Sequence, residues 1–374
     1  MKLPPFLLDQ WLAAHEFADP PIRFNLASST GPQWTLAELL ALDAGEAALQ
    51  EIAALKLSYV PPQGGGKLRE RIAARHGVSP EEVVVTTGAS EALQALICHF
   101  APGASRSRAS ILLPKPCYPA IPALARAWGL GVSEYELESP AFEQRADQIL
   151  SCVDDSTCAV FVNTPHNPTG SVMSAAEQRK LADALAQRNV PLVVDEVYHP
   201  LYFADEVPSA AALANTIVLG DFAKAMSLPG LRIGWLIDRN AGRRAALVDA
   251  RSYFTISGSP LTEAIGALAL THADAVLGRL RGLASTNLAL LGAFMGRHRE
   301  QIGYTRPAGG TTCFPRLRDG RNARPLCEAL AKAGVLVAPG DCFDLPAHMR
   351  IGFGAQTRGY ADALDIFAAV LARF

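Results

Sequence analysis

The stretch Leu192-Val193-Val194-Asp195-Glu196-Val197-Tyr198 starts apolar at successive positions and then stops on an acid. A strand with no polar alternation is covered on both faces. Working outward, the same texture recurs on either side. Residues 159–163, 131–136, 110–113 and 83–87 read as strands upstream, and 216–219 and 233–237 downstream. Helical patterns fill the intervals at about 90–99, 120–128 and 174–188. Strand–helix–strand order predicts an α/β fold whose large domain is built on a mainly parallel seven-stranded sheet. In such sheets ligands sit beyond the carboxyl ends of the strands. Gly88, residues 163–170, Asp195 and Lys224 fall there.

After Pro260 the texture changes to a long Ala/Leu-rich helical stretch reaching about residue 298, with room for one break. Residues 311–317, 335–337 and 350–353 then read as strands, and 326–332 as a helix. This predicts a smaller α+β domain. The expected organisation is an N-terminal arm and part of the small domain over residues 1–45, a large domain over 46–260 and a small C-terminal domain over 261–374.

Composition narrows the function. About half of the 374 residues are hydrophobic, 19% are charged, and formal net charge is −2. A large core is expected, and no basic excess advertises a nucleic-acid partner. No apolar run is long enough to span a bilayer, and the Pro-broken N-terminus is a poor signal peptide. A cytoplasmic protein with no membrane partner is expected. The seven cysteines lack CxxC spacing, so neither a disulfide framework nor a metal site is expected.

Three segments carry chemistry. In Asp221-Phe222-Ala223-Lys224-Ala225-Met226-Ser227-Leu228-Pro229-Gly230-Leu231-Arg232-Ile233-Gly234-Trp235, a lysine just past a buried strand precedes an arginine by eight residues. Burial there would lower the lysine pKa and make it a nucleophile, and the arginine suits a phosphate. Taken alone, the lysine reads better as a surface residue after a strand. Asn163-Thr164-Pro165-His166-Asn167-Pro168-Thr169-Gly170 is a turn signal in itself. Asp195 needs a partner if buried, or caps a helix.

Together the order Asn167, Asp195, Tyr198, Lys224, Arg232 resembles the fold-type I pyridoxal-phosphate enzymes, in particular the class I/II aminotransferases. Tyr59-x4-Gly64-x3-Leu68-Arg69, Thr87-Gly88-Ala89-Ser90-Glu91-Ala92-Leu93 and Pro116-Cys117-Tyr118-Pro119 extend the likeness, which runs from about Leu57 to Phe353. The resemblance implies pyridoxal 5'-phosphate held as a Schiff base on Lys224, which then shuttles the substrate α-proton. It implies Asp195 on the pyridine nitrogen, Tyr198 and Asn167 on the phenolic oxygen, and Tyr118 on the ring face. The phosphate would sit on Gly88, Ala89 and Ser90 at a helix N-terminus, with Arg232 supplying charge. Tyr59 would reach the phosphate of a neighbouring subunit, which implies a homodimer with sites at the interface. Arg350 would bind the substrate α-carboxylate.

Two places depart from the family pattern. Asp221 stands where a Ser or Thr commonly helps hold the phosphate, and Ala223 replaces a small hydroxyl residue. The N-terminal segments, Gln10-Trp11-Leu12 and Ser28-Ser29-Thr30-Gly31-Pro32-Gln33-Trp34-Thr35, are instead similar to capreomycidine-synthase-type cyclases. So are residues 252–257, 308–315 and 349–353. Ser28, Ser29 and Gly31 would then line the substrate side, or form an ordinary Ser/Gly turn. The expected function is amino transfer between an amino acid and a 2-oxo acid. The alternative is a lyase or cyclase on the same cofactor. A non-catalytic regulator module is disfavoured, because the N-terminal fifty or so residues lack a basic recognition helix.

Overall fold

The computed structural model describes residues 3–43, 47–103 and 109–374, so the expected boundary at residues 45 and 46 lies outside the described residues. The chain opens with α1 (Leu7–Glu16), β1 (Phe24–Asn25), α2 (Leu36–Leu40) and α3 (Ala47–Ala53). A capping box starts α2: Glu38 N donates to Thr35 Oγ1 at 3.1 Å, and Thr35 N donates to Glu38 Oε2 at 2.8 Å.

Next come α4 (Gly66–His76), β2 (Val83–Thr86), α5 (Gly88–Phe100), β3 (Ser110–Lys115), α6 (Ala120–Ala127) and β4 (Gly131–Glu136). They are followed by α7 (Ala146–Ser151), β5 (Thr157–Asn163), α8 (Ala175–Gln187), β6 (Leu192–Asp195), β7 (Thr216–Asp221), β8 (Gly234–Asp238) and α9 (Ala241–Ser252). Strands β2 to β8 form one seven-stranded sheet in the order β2-β8-β7-β6-β5-β3-β4. All pairs are parallel except those of β8, which runs antiparallel to β2 and β7. No α-helix connects β7 to β8, and without a crossover the chain returns antiparallel. That short connection carries Lys224. The sheet is buried on both faces: Val160, Leu192, Val194 and Val218 join one core cluster, while Ala159, Phe161, Val193 and Ile217 join another. Each such Val, Leu, Ile or Phe contributes about 1.5–3 kcal/mol by its burial.

The rest of the chain forms α10 (Pro260–Thr271), α11 (Ala273–Arg297), β9 (Ile302–Gly303), β10 (Thr312–Cys313) and β11 (Arg316–Leu317). It ends with α12 (Arg324–Lys332), β12 (Val335–Leu336), β13 (Ala338–Pro339), β14 (Met349–Gly352) and α13 (Tyr360–Leu371). The long helical stretch breaks once, at His272. The strand expected over 311–317 is instead two, with β10 pairing with β14 and β11 with β9. Pro315 lies between them. It has no N–H to continue a ladder, and its carbonyl accepts from Met349 N at 2.9 Å. Residues 335–337 likewise divide at Val337, whose carbonyl accepts from Trp11 Nε1 at 2.9 Å.

The N-terminal segment joins this C-terminal part. β1 pairs in parallel with β12, Phe24 opposite Val335, and Gly352 N donates to the Leu26 carbonyl at 2.6 Å. Phe24 and Leu26 share a core cluster with Leu288, Phe294, Val335, Phe353 and Phe367. Among the described residues, no helix is long and apolar enough to cross a membrane.

Candidate active site

Lys224 sits half-buried three residues past the end of β7. The turn is built by Asp221, whose Oδ1 accepts from Ala223 N at 3.0 Å and Lys224 N at 3.2 Å. The unusual acid therefore caps its own turn, where it favours the charged form of the lysine. Burial is nonetheless the larger effect and pulls the Lys224 amine below its ordinary pKa. Burial also raises the Asp221 carboxyl.

Asp195 ends β6, beside β7 in the sheet. One carboxylate oxygen accepts from Val197 N at 3.1 Å. Burial, with the Asp221 charge adding to it, pushes this carboxyl up to about 7. Such a group is short of a cation. Asn163 links it to the next loop: Asn163 Nδ2 donates to the Asp195 carbonyl at 3.0 Å, and Asn167 N donates to Asn163 Oδ1 at 2.6 Å. Asn167 Oδ1 in turn accepts from Arg350 Nη1 at 3.1 Å. Arg350 is 1% exposed, and its Nη2 donates to the Ala27 carbonyl at 2.8 Å while Nε has no partner. Tyr198 is also fully buried, and its hydroxyl has no hydrogen-bond partner. Burial pushes that hydroxyl up to about 12, so it remains a donor.

A second cluster lies at the N-terminus of α5. Gly88 has φ +74°, and a Cβ there would stand 2.7 Å from Arg232 Nη2. Gly234 lets β8 approach this turn, since its own Cβ would lie 2.5 Å from Ala89 N. Ala89 and the exposed Ser90 complete the first turn of α5. A positively charged guanidinium beside free helical N–H groups makes an anion site.

Tyr118 is half-buried, with Phe6 packed edge-on at 5.7 Å, and it lies within electrostatic reach of Arg350, Tyr198 and Asp195. Its neighbour Cys117 is kept protonated by burial, which pushes the thiol up to about 12. Asp195, Tyr198, Asn167, Lys224 and Arg350 thus converge, and Gly88 meets Arg232. Tyr59 is apart from them, 80% exposed. Gly31 is buried beneath the lysine turn, where a Cβ would strike Ser227 Oγ.

A profile of the family described as aminotransferase class I and II matches residues 33–365. The chain belongs to this family. It is 33% identical over 357 residues to capreomycidine synthase from Streptomyces vinaceus, covering 94% of this chain and 90% of that one. It is 29% identical over 371 residues to an aspartate/prephenate aminotransferase from Thermus thermophilus, covering 90% and 92%. A solved PLP-dependent aminotransferase from Streptococcus suis superposes with a TM-score of 0.91 at 26% identity, over 100% of this chain and 99% of that one. The PLP-dependent cyclase OrfR does so with a TM-score of 0.88 at 27% identity, over 100% and 98%.

Family members depend on pyridoxal 5'-phosphate, and the residues present fit it. The anion site answers its phosphate, and the proton-hungry Asp195 answers its ring nitrogen. The unpartnered Tyr198 hydroxyl answers its ring oxygen, and the Lys224 amine its aldehyde. Gly88→Ala should therefore weaken cofactor binding about tenfold or more, because the added Cβ would displace the Arg232 guanidinium, and a hydrogen bond to a charged group is worth about 1.5–3 kcal/mol. Equilibrium titration of the cofactor-free protein checks this; unchanged affinity would refute the assignment of the cup.

Sequence reasoning quoted Glu91 without giving it a role. Its carboxylate accepts from Thr87 N at 2.5 Å, from Arg251 Nε at 3.3 Å and from the Thr255 hydroxyl. Arg251, 1% exposed, also donates to the Pro62 carbonyl. This buried pair fixes the turn that opens α5. The Thr-x-x-x-Glu spacing was the available signal, but its partner Arg251 lies 160 residues away.

Proposed function

We propose that this protein is a PLP-dependent aminotransferase that moves an amino group between an α-amino acid and a 2-oxo acid. The buried Arg350 carries this reading. Its guanidinium retains an unpartnered Nε, and it lies near enough to Lys224 for its charge to lower the lysine pKa. An arginine so placed suits a substrate carboxylate, whose bidentate pairing would orient the α-carbon toward the lysine.

On this reading the cofactor's phosphate is held by Ala89 and Ser90 N–H groups, the Ser90 hydroxyl and Arg232, with Gly88 giving room. Asp195 pairs with its ring nitrogen, Tyr198 and Asn167 donate to its ring oxygen, and Tyr118 covers a ring face. When bound, the cofactor supplies an aldehyde for the amine and a ring that accepts electrons from the substrate α-carbon. Lys224, with a pKa lowered by burial, takes the α-proton as a base and later returns it as an acid. Asp195 would supply a negative charge to the ring nitrogen. Asn167 holds Arg350 in place. The exposed Leu57, Tyr59, Tyr253, Ile256 and Leu261 support a homodimer, in which Tyr59 reaches the neighbouring phosphate. The pairing of β1 with β12 supports grouping residues 24–26 with a small domain over 261–374.

A second reading, lyase or cyclase chemistry, is favoured by the 33% identity to capreomycidine synthase and by the hydroxyl-bearing Ser28-Ser29-Thr30 segment beside Lys224. Stoichiometric protein mixed with single amino acids separates the two. Appearance of pyridoxamine phosphate with a 2-oxo acid is the expected result. Release of water or ammonia with pyridoxal phosphate retained would instead establish the second reading. Arginine, its hydroxylated forms and aspartate belong in the panel.

A further inference from the structure

Lys224 Nζ donates a hydrogen bond to Ser29 Oγ at 3.0 Å. Ser29 reaches the lysine from a segment 195 residues away in the chain that is held at several points. Its carbonyl accepts from Thr311 Oγ1 at 2.9 Å, and Asn25 Oδ1 accepts from Ala27 N at 3.0 Å and Ser28 N at 3.1 Å. Behind it, a Cβ on Gly352 would strike the Ser28 carbonyl, and one on Gly354 would lie 2.7 Å from the Thr30 carbonyl. Two residues on, Gly31 packs against Ser227 of the lysine turn. The segment therefore meets that turn at two points, once at the reacting nitrogen.

We propose that Ser29 is a positioning residue for Lys224: its hydroxyl accepts from the amine whenever the lysine is not joined to the cofactor, fixing where the amine waits and how readily it holds a proton. A lysine side chain has about 2 kcal/mol of rotamer entropy to lose, and a fixed acceptor selects one arrangement before the substrate proton arrives. A hydroxyl that accepts from an ammonium also stabilises the charged form. Asp221 and Asp195 act in the same sense, whereas Arg350 and Arg232 oppose it, with burial the largest effect. Tyr198 is uncharged in the working range. Ser29 also lies within hydrogen-bonding reach of the Tyr198 hydroxyl, but burial is the larger effect there and keeps it protonated, so changing Ser29 leaves the charge of each of these groups in place. The inference rests on the proposed function only in taking Lys224 as the cofactor lysine, and it holds for amino transfer and elimination alike.

The test uses cofactor-free protein and the rate at which it captures pyridoxal 5'-phosphate as a function of pH, followed by absorbance. Ser29→Ala should move the midpoint of that profile down by roughly half to one pH unit, the equivalent of one hydrogen bond. Ser29→Cys, nearly isosteric but a weak acceptor, should move it the same way and guards against a folding defect in the first variant. In the cofactor-loaded variants, exchange of the substrate α-proton with solvent should slow about tenfold with little change in KM. Profiles that superimpose on the wild type would overturn the proposal, even if melting temperature fell. A wild-type protein that captures no cofactor would overturn the Lys224 assignment instead.

Discussion

Lys224→Ala is expected to give a colourless protein that forms no borohydride-reducible imine and loses activity by roughly 10⁴-fold or more. The size follows from what one side chain does: the same amine attaches the cofactor and moves the α-proton, and a positioned acid–base group alone is worth about 10²–10⁴-fold. The fold should survive. Asp221 caps the turn through backbone N–H groups that alanine retains, and Ala225 N still donates to the Val197 carbonyl, observed at 3.2 Å. Reduction of wild-type protein should place the label on Lys224. A Lys224→Ala protein that still yields a reducible imine would sink the assignment, whichever reaction the enzyme performs.

Asp195→Asn should separate stability from function in opposite directions. The carboxyl of the cofactor-free protein sits at about 7, well above its ordinary 3.8, chiefly through burial. The folded chain therefore binds this proton more tightly than the unfolded chain does. Its contribution to stability is fully present below about pH 4, declines as pH rises, and is gone above about 7. Asparagine removes that slope. Cofactor-free Asp195→Asn should then melt higher than cofactor-free wild type at pH 8, with the difference shrinking toward pH 4. Glu196, also raised to about 7 by burial, is common to both proteins and leaves the sign of the difference intact. With the cofactor bound the order reverses, because the variant lacks the negative charge for the ring nitrogen. Losing one member of a buried charge pair costs about 3–5 kcal/mol, or roughly 10²–10⁴-fold in kcat/KM. Equal melting temperatures of the two cofactor-free proteins at pH 8 would show that Asp195 is not held in the environment described.

The large sheet was legible in the sequence because its strands are short apolar runs, and two-face burial leaves few other readings for 159–163 or 192–194. The residues at the strand ends were legible for the same reason: a lysine or acid directly after such a run has a definite place. Irregular pieces were not. The split of 311–317 depends on Met349 donating to the Pro315 carbonyl, a partner that no local pattern names. Asp221 read only as a departure from the hydroxyl residue expected beside the phosphate; its side chain turns back onto two N–H groups of its own loop, and rotamer choice is silent in sequence. The capping box at Thr35 and Glu38 opens a helix of only five residues, too short to show a helical period in the sequence. Ser29 reads from sequence as a lining of the substrate side or as part of a Ser/Gly turn, not as a partner of Lys224. Its contact with Lys224 spans 195 residues and depends on the C-terminal strands that hold it.

That last dependence bears on how the protein is made. Phe24 finds its strand partner only at Val335, and Leu26 its donor only at Gly352. A ribosome adding about 5–20 residues per second reaches those positions roughly 15–60 s after Phe24. Over roughly the last third of that interval, after β8 ends at Asp238, every strand of the large sheet is complete while Phe24 and Leu26 still lack these partners. A chain released before residue 335 would carry Lys224, Asp195 and the anion site, but neither Arg350 nor the strands that seat Phe24 and Leu26.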